Sequence, residues 1–313
     1  MPVFLFVLGA ILLLLLVSGG YVFFVACKRG KELPWLDAAG LKGTPYEKYT
    51  DHIAESHAWL SAHNAREVTI RSRDGLTLHG LWVPAQEPKG TILFAHGYRS
   101  TYLVDFGPAL GFYHGLGMNL LIPDQRSHGK SQGKYITFGV RESEDMLAWI
   151  EFHNREYGSF PLILSGMSMG ASTVLYLADR NLPDNVRGMI ADCGFTSPKE
   201  ILASVYKKVT HLPASPSLFV TELFARALVG FSLTEKDTRV TLKNSRIPVL
   251  MVHGTGDTFV PCDMSRQGYA ACSGEKELLL VEGAEHGVSF LVDRERYREA
   301  ILRFLKANVE GLV

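Results

Sequence analysis

The sequence predicts an α/β protein: a mostly parallel sheet covered by helices on both faces, with one long apolar segment ahead of it. Three observations carry this. Short apolar runs, each ending in Gly, Pro, Asp or His, have the continuous hydrophobicity of strands buried on both faces. Longer stretches of helical pattern separate them, as crossover connections between parallel strands require. The chain also runs from Val3 to Ala26 without a charged residue.

The 313 residues are 47% hydrophobic and only 20% charged, which excludes a disordered chain and allows a large core. Thirty-two basic residues balance thirty-two acidic ones, so nothing in the charge points to nucleic acid as a partner. The four cysteines, Cys27, Cys193, Cys262 and Cys272, form no CxxC pair, which argues against a disulfide scaffold or a cysteine zinc site. No clustered ligand set appears, so a metal is not implied.

A helix over residues 3–26 would reach about 36 Å, enough for a ~30 Å hydrocarbon core. Nothing basic precedes the run, and it exceeds the ~7–15 residues of a cleaved signal's apolar region. An uncleaved transmembrane anchor in the lipid bilayer is therefore expected. Lys28, Arg29 and Lys31 follow directly, so the positive-inside rule puts the N-terminus outside and the rest of the chain in the cytoplasm. Phe24-Val25-Ala26-Cys27 loosely resembles a lipoprotein cleavage box, the weaker alternative, which would place the domain outside the cell.

Residues 27–64 read as a juxtamembrane linker and one amphipathic helix, with Tyr46, Tyr49, Ile53, Trp59 and Leu60 spaced for a face. From residue 65 to 313 the chain reads as the main domain. Val68–Ile70 and Leu76–Val83 form an antiparallel pair turning at Arg73-Asp74-Gly75. Buried strands are expected at Thr91–Ala95, Met118–Ile122, Pro161–Ser165, Gly188–Ala191, Ile247–Val252 and Glu277–Val281. The interval from Ala191 to Ile247 is too long for a simple crossover. Helical stretches at Glu200–Val209 and Leu218–Leu228, interrupted by Pro213 and Pro216, point to a helical cap insert over about 196–245.

Gly166-Met167-Ser168-Met169-Gly170 lies between a strand and a helical pattern. A serine on so sharp a turn needs neighbours without side chains two positions away, because strand and helix approach closely there. Its hydroxyl is a poor nucleophile until a base takes the proton. His286, just past the last strand, is the candidate base. Asp257, on the glycine-rich loop after Ile247–Val252, is the favoured acid, with Asp192 at the preceding strand end as its rival. The chain order Ser168, Asp257, His286 is that of one hydrolase class. Backbone N–H groups of Tyr98 and Met169 are the expected oxyanion donors. His96, Asp124 and Arg126 read as structural. Gly129-Lys130-Ser131 lacks the leading glycine of a phosphate loop, since Asp124 stands there.

Together GMSMG around Ser168, HGTGD ending in Asp257, AEHG around His286, HGY at 96–98 and DQRSHGKS at 124–131 resemble the α/β-hydrolase superfamily. With DGLTLHGLWVP at 74–84, the chain resembles the Bem46-like and serine aminopeptidase S33-like branch over about residues 65–310. The resemblance implies an eight-stranded, mostly parallel sheet with the site at its carboxyl edge. It also implies cofactor-free hydrolysis of an ester, thioester or amide. HGY lacks the HGGG of many lipases. The favoured substrate is a small-molecule ester, its apolar group held by the cap residues Tyr206, Leu218, Phe219 and Phe224. A peptidase or amidase, using Glu200, Glu222 or Glu235 for a substrate amine, is the alternative. A non-catalytic membrane-tethered binding module is the second.

Overall fold

The computed structural model describes residues 2–30 and 41–312. Part of the expected linker, including Lys31, and the side chain of Ile53 lie outside the described residues, as does Val313.

The eight strands are β1 (Arg66–Arg71), β2 (Thr77–Val83), β3 (Gly90–Ala95), β4 (Met118–Pro123), β5 (Leu162–Met167), β6 (Val186–Asp192), β7 (Val249–Gly254) and β8 (Lys276–Val281). They form one sheet in the order β1-β2-β4-β3-β5-β6-β7-β8. β2 is antiparallel to both β1 and β4, and every later neighbour pair is parallel. β3 to β7 are buried along their length, as the uninterrupted apolar runs require.

Before the sheet stand α1 (Pro2–Cys27), a 3₁₀ turn at Pro45–Tyr49 and α2 (Thr50–Ala62). The crossovers carry α3 (Tyr102–Asp105), α4 (Gly107–Gly115), α5 (Val140–Tyr157) and α6 (Met169–Leu175). The long interval after β6 holds α7 (Pro198–Thr210), α8 (Ser215–Val229) and α9 (Thr238–Lys243). Pro198 and Pro216 sit in first turns, where a missing N–H costs nothing. The chain closes with α10 (Cys262–Ala271), α11 (Ser289–Val292) and α12 (Arg294–Asn308).

Two apolar cores lie on the two faces of the sheet. One, with Phe94, Leu110, Ile122 and Phe304, includes residues of α4 and α12. The other, with Leu93, Trp149, Leu164 and Val174, includes residues of α5 and α6. A third cluster joins Phe23 of α1 to Met169 and to cap residues Ile201, Leu218 and Ala225. α1 is long and apolar enough to cross a membrane. Its residues 3–14 are exposed, whereas Gly19, Gly20, Phe23 and Cys27 are buried against the rest of the protein.

Candidate active site

β5 ends at Met167, and Ser168 follows with φ +54° and ψ −115°, in the left-handed half of backbone space. A non-glycine residue rarely stands there unless its surroundings hold it. The two glycines explain how they do. A Cβ on Gly166 would lie 2.2 Å from the Gly170 carbonyl oxygen, and one on Gly170 would lie 1.7 Å from that of Ala95. Both contacts are far inside van der Waals range, so only Gly-x-Ser-x-Gly lets α6 start this close to β3 and β5. Ser168 is thereby lifted to the carboxyl edge of the sheet.

His286 and Asp257 stand on the loops after β8 and β7. His286 Nε2 is 2.9 Å from Ser168 Oγ, and His286 Nδ1 is 2.6 Å from Asp257 Oδ2. A carboxylate only accepts, so the Nδ1–H points at Asp257 and leaves Nε2 free to take the serine proton. Asp257 Oδ1 accepts from the Phe259 and Val260 amides at 2.8 and 2.9 Å. Burial would push its carboxyl up. Hydrogen bonds from His253 and His286 outweigh that and hold it well below the usual carboxylate range.

His253 is a member of the site that sequence reasoning missed. Its Nε2 lies 3.2 Å from Asp257 Oδ2 and 3.0 Å from the Val260 carbonyl oxygen, both acceptors. Its Nδ1 therefore accepts from Ser265 Oγ at 2.7 Å. The signal was present: His253 opens the same HGTGD stretch that ends in Asp257.

Asp192 does not reach the imidazole. Its Oδ1 is 3.5 Å from Ser289 Oγ, its carboxyl also faces the Tyr297 hydroxyl, and burial pushes its pKa up to about 6. Cys193, Asp257 and His286 have ligand atoms within 4.8 Å of one another. Burial holds the Cys193 thiol well above its ordinary pKa, and Asp257 and His286 are engaged with each other. The trio is a poor metal site, because a thiol must lose its proton to bind.

The loop after β3 carries Gly97 and Tyr98. Asp105, buried, accepts from the Gly97 amide at 2.6 Å and from Ser100 Oγ at 2.6 Å. Burial raises its carboxyl pKa despite these bonds. Asp105 thus pins the turn that presents the Tyr98 amide. Among the described residues, neither the Tyr98 nor the Met169 amide donates to a protein acceptor. His96, buried with its pKa lowered, accepts from the Gln125 amide at 3.0 Å, and Arg126 forks onto Asp145 and Asp74. Asp124 accepts from the Lys130 amide at 2.9 Å, closing its own loop.

A cavity of about 410 Å³ opens beside Ser168 and His286. Its walls include Tyr98, Arg99, Lys208 and Phe259, and, unexpectedly, Leu41 and residues 43–46 of the stretch read as a linker. Tyr46 reaches across it, its hydroxyl donating to the Gly287 carbonyl at 3.1 Å. A larger surface cleft of about 690 Å³, beside Asn64, Lys89 and His114 at the amino end of β3, holds none of these groups.

Of the expected substrate residues Tyr206, Leu218, Phe219 and Phe224, none lines the cavity at Ser168. Leu218 is buried, Phe224 packs on Phe23 of α1, Tyr206 shares a hydrogen bond with Ser217, and Phe219 faces outward. The reason is physical: the apolar face of α8 is occupied by α1 rather than open to a ligand. The acids expected for a substrate amine are likewise engaged: Glu200 pairs with Arg239, Glu222 with Arg226 and Ser232, and Glu235 accepts from the Ser232 amide.

The family model for serine aminopeptidase, S33, matches residues 86–215. The chain is 30% identical over 240 residues to protein YqkD of Bacillus subtilis (strain 168), covering 75% of this chain and 77% of YqkD. It is 25% identical over 246 residues to protein bem46 of Schizosaccharomyces pombe, covering 77% and 76% respectively. Among solved structures, the Pyrococcus furiosus esterase Pf2001 superposes with a TM-score of 0.65 at 23% identity, covering 79% of this chain and 94% of that one. The sheet order, the turn at Ser168 and these likenesses agree: the chain belongs to the α/β-hydrolase superfamily and is similar, within it, to serine aminopeptidase S33 and to bem46.

Proposed function

We propose that the protein is a membrane-anchored serine hydrolase that cleaves a carboxylic ester or thioester through Ser168, His286 and Asp257. The single observation behind this is the unbroken proton path from Ser168 Oγ to His286 Nε2 at 2.9 Å, and from His286 Nδ1 to Asp257 Oδ2 at 2.6 Å. His286 takes the Ser168 proton as Oγ attacks the carbonyl carbon, and the carbonyl oxygen moves toward the Tyr98 and Met169 amides. The imidazolium, steadied by Asp257, gives that proton to the leaving alkoxide or thiolate, leaving the acyl group on Ser168. Water then repeats the sequence in reverse and frees the acid.

Ester cleavage is favoured over amide cleavage by the cavity wall. It holds two cations, Arg99 and Lys208, against one exposed acid, Glu285, an unfavourable balance for a substrate ammonium group. A binding module without activity would need no such aligned trio. Comparing p-nitrophenyl esters with aminoacyl anilides on the full chain tests the choice. Higher kcat/KM on the esters is expected; preference for the anilides overturns it.

The anchor is α1, retained after synthesis. Phe23 is buried, and the Val25 and Ala26 carbonyls accept from Arg99 and the Tyr98 hydroxyl at 2.7 and 2.9 Å, so cleavage ahead of Cys27 would remove a bonded part of the domain. Lys28 and Arg29 after α1 favour a cytoplasmic domain. Protection of the domain from protease added to intact cells is expected, and its digestion would reverse the orientation.

A further inference from the structure

α1 does not meet the domain through a loose tether. The Ser18 and Ser217 hydroxyls share a hydrogen bond of 2.7 Å, and Thr221 Oγ1 donates to the Gly19 carbonyl at 3.0 Å. A Cβ on Gly19 would stand 2.4 Å from Val220 Cβ, so glycine permits an approach of the kind seen between helices in lipid. Phe23 stacks on Phe224 with ring centroids 5.9 Å apart. Further along, the Tyr98 hydroxyl donates to the Ala26 carbonyl at 2.9 Å, and Arg99 donates to those of Val25 and Lys28 at 2.7 and 3.0 Å. The helix is bonded both to the cap and to the wall of the cavity.

Helix length then sets depth. The stretch Val3–Val17, ahead of the α8 contact, spans only about 22 Å at ~1.5 Å per residue. The apolar span itself runs on to Cys27 and so includes Ser18 to Val22, within the ~20 residues that a ~30 Å hydrocarbon core takes up. Those are residues that lie along α8, so a bilayer crossed by α1 reaches the start of α8. The surface there is apolar. Val209 at the end of α7 is 74% exposed, Leu212 in the turn to α8 57%, and Phe219 and Leu223, one turn apart on α8, 67% and 50%. Lys208, next to Val209, lines the cavity and donates to the Thr258 carbonyl at 2.9 Å, so the rim of the cavity adjoins this patch.

We infer that the joined ends of α7 and α8, from Val209 to Leu223, lie in the bilayer interface and that the cavity takes its substrate from the membrane: an acyl ester of a membrane-resident amphiphile. This rests on the serine-hydrolase reading above. The acyl chain passes from lipid to Ser168 without crossing water, while Lys207 and Lys208 stand at headgroup level. The chemistry is the same acyl transfer: the Ser168 Oγ–acyl bond forms, the bond to the amphiphile's alcohol breaks, and that alcohol leaves with the proton carried by His286.

The test uses the full chain reconstituted in phosphatidylcholine vesicles. In the first arm, Phe219→Trp is compared with the unsubstituted protein in vesicles whose acyl chains carry bromine near the headgroup. Added tryptophan emission quenched by the bromolipid is expected. Glu156→Trp, at the end of α5 on the opposite edge of the sheet, should be unquenched. Equal quenching at the two positions, or none at 219, overturns the inference. In the second arm, the Leu212→Glu/Leu223→Glu variant should lose about fivefold or more in kcat/KM on a vesicle-embedded fluorogenic acyl ester. Its turnover of water-soluble p-nitrophenyl acetate should be unchanged. Equal effects on the two esters overturn the inference. An unsubstituted protein inactive on both esters defeats the hydrolase reading; one active on the soluble ester and indifferent to the embedded one defeats only the membrane inference.

Discussion

His286 Nδ1 donates to Asp257 Oδ2 at 2.6 Å, whereas Asp192, at the end of the neighbouring strand, faces Ser289 and Tyr297 instead. The two acids looked interchangeable by position, and this contact separates them. In Asp257→Asn the amide can donate to Nδ1, which favours the tautomer that blocks proton transfer from Ser168. We expect kcat on a p-nitrophenyl ester to fall by about 10³–10⁴-fold. Asp192→Asn should keep kcat within about an order of magnitude. Steady-state kinetics of both variants decide it, and equal losses would count against the assignment.

Asp192 gives a prediction about stability. Its folded pKa of about 6 lies above the unfolded value of about 3.9. Below about pH 4 both states hold the proton. Between about pH 4 and 6 the unfolded chain releases it while the native protein keeps it, so this group's contribution to stability falls as pH rises through that window. Above it the deficit is constant, at most about 2–3 kcal/mol. Asp192→Asn should therefore gain stability relative to the unsubstituted protein on going from pH 4.5 to 7.5. Thermal unfolding of the full chain in detergent at both values checks this; a pH-independent difference would contradict it.

Gly170→Ala forces a Cβ to within 1.7 Å of a backbone oxygen that β3 cannot move cheaply. A loss of about 3 kcal/mol or more is expected. Gly115→Ala has open space and an ordinary φ, so it should change stability by less than about 1 kcal/mol. Denaturant midpoints measure both, and a neutral Gly170→Ala would show that the turn is not as tight as described.

Arg126 is buried between Asp145, which it bonds through Nε and Nη2 at 2.6 Å, and Asp74. Arg126→Ala strands the buried Asp145 and should cost about 3–5 kcal/mol. Arg126→Lys keeps the charge but not the fork and should fall between. If Arg126→Ala unfolds at the unsubstituted protein's denaturant midpoint, the pair contributes nothing.

The strands were readable because burial on both faces leaves a continuous apolar run with a polar stop. β3, β4, β7 and β8 start and end within about two residues of their apolar runs. Ser168, Asp257 and His286 were readable because each follows a strand at the same sheet edge. The cavity wall was not. An apolar helix face in sequence says that something covers it but not what, and α1 rather than a ligand covers α8. Tyr46 was read as one face of a helix, yet it bonds Gly287 beside His286. No local pattern predicts a contact between residues so distant in sequence. Asp105 was passed over because its role, holding the Gly97 amide, exists only once β3 and α3 are folded together.

The most direct measurement is labelling of the full chain with a fluorophosphonate probe, which reacts only with a serine whose proton has somewhere to go. One label on Ser168, abolished in Ser168→Ala and strongly slowed in His286→Ala, is the expected result. Undiminished labelling in Ser168→Ala, or none in the unsubstituted protein, would contradict the proposed chemistry.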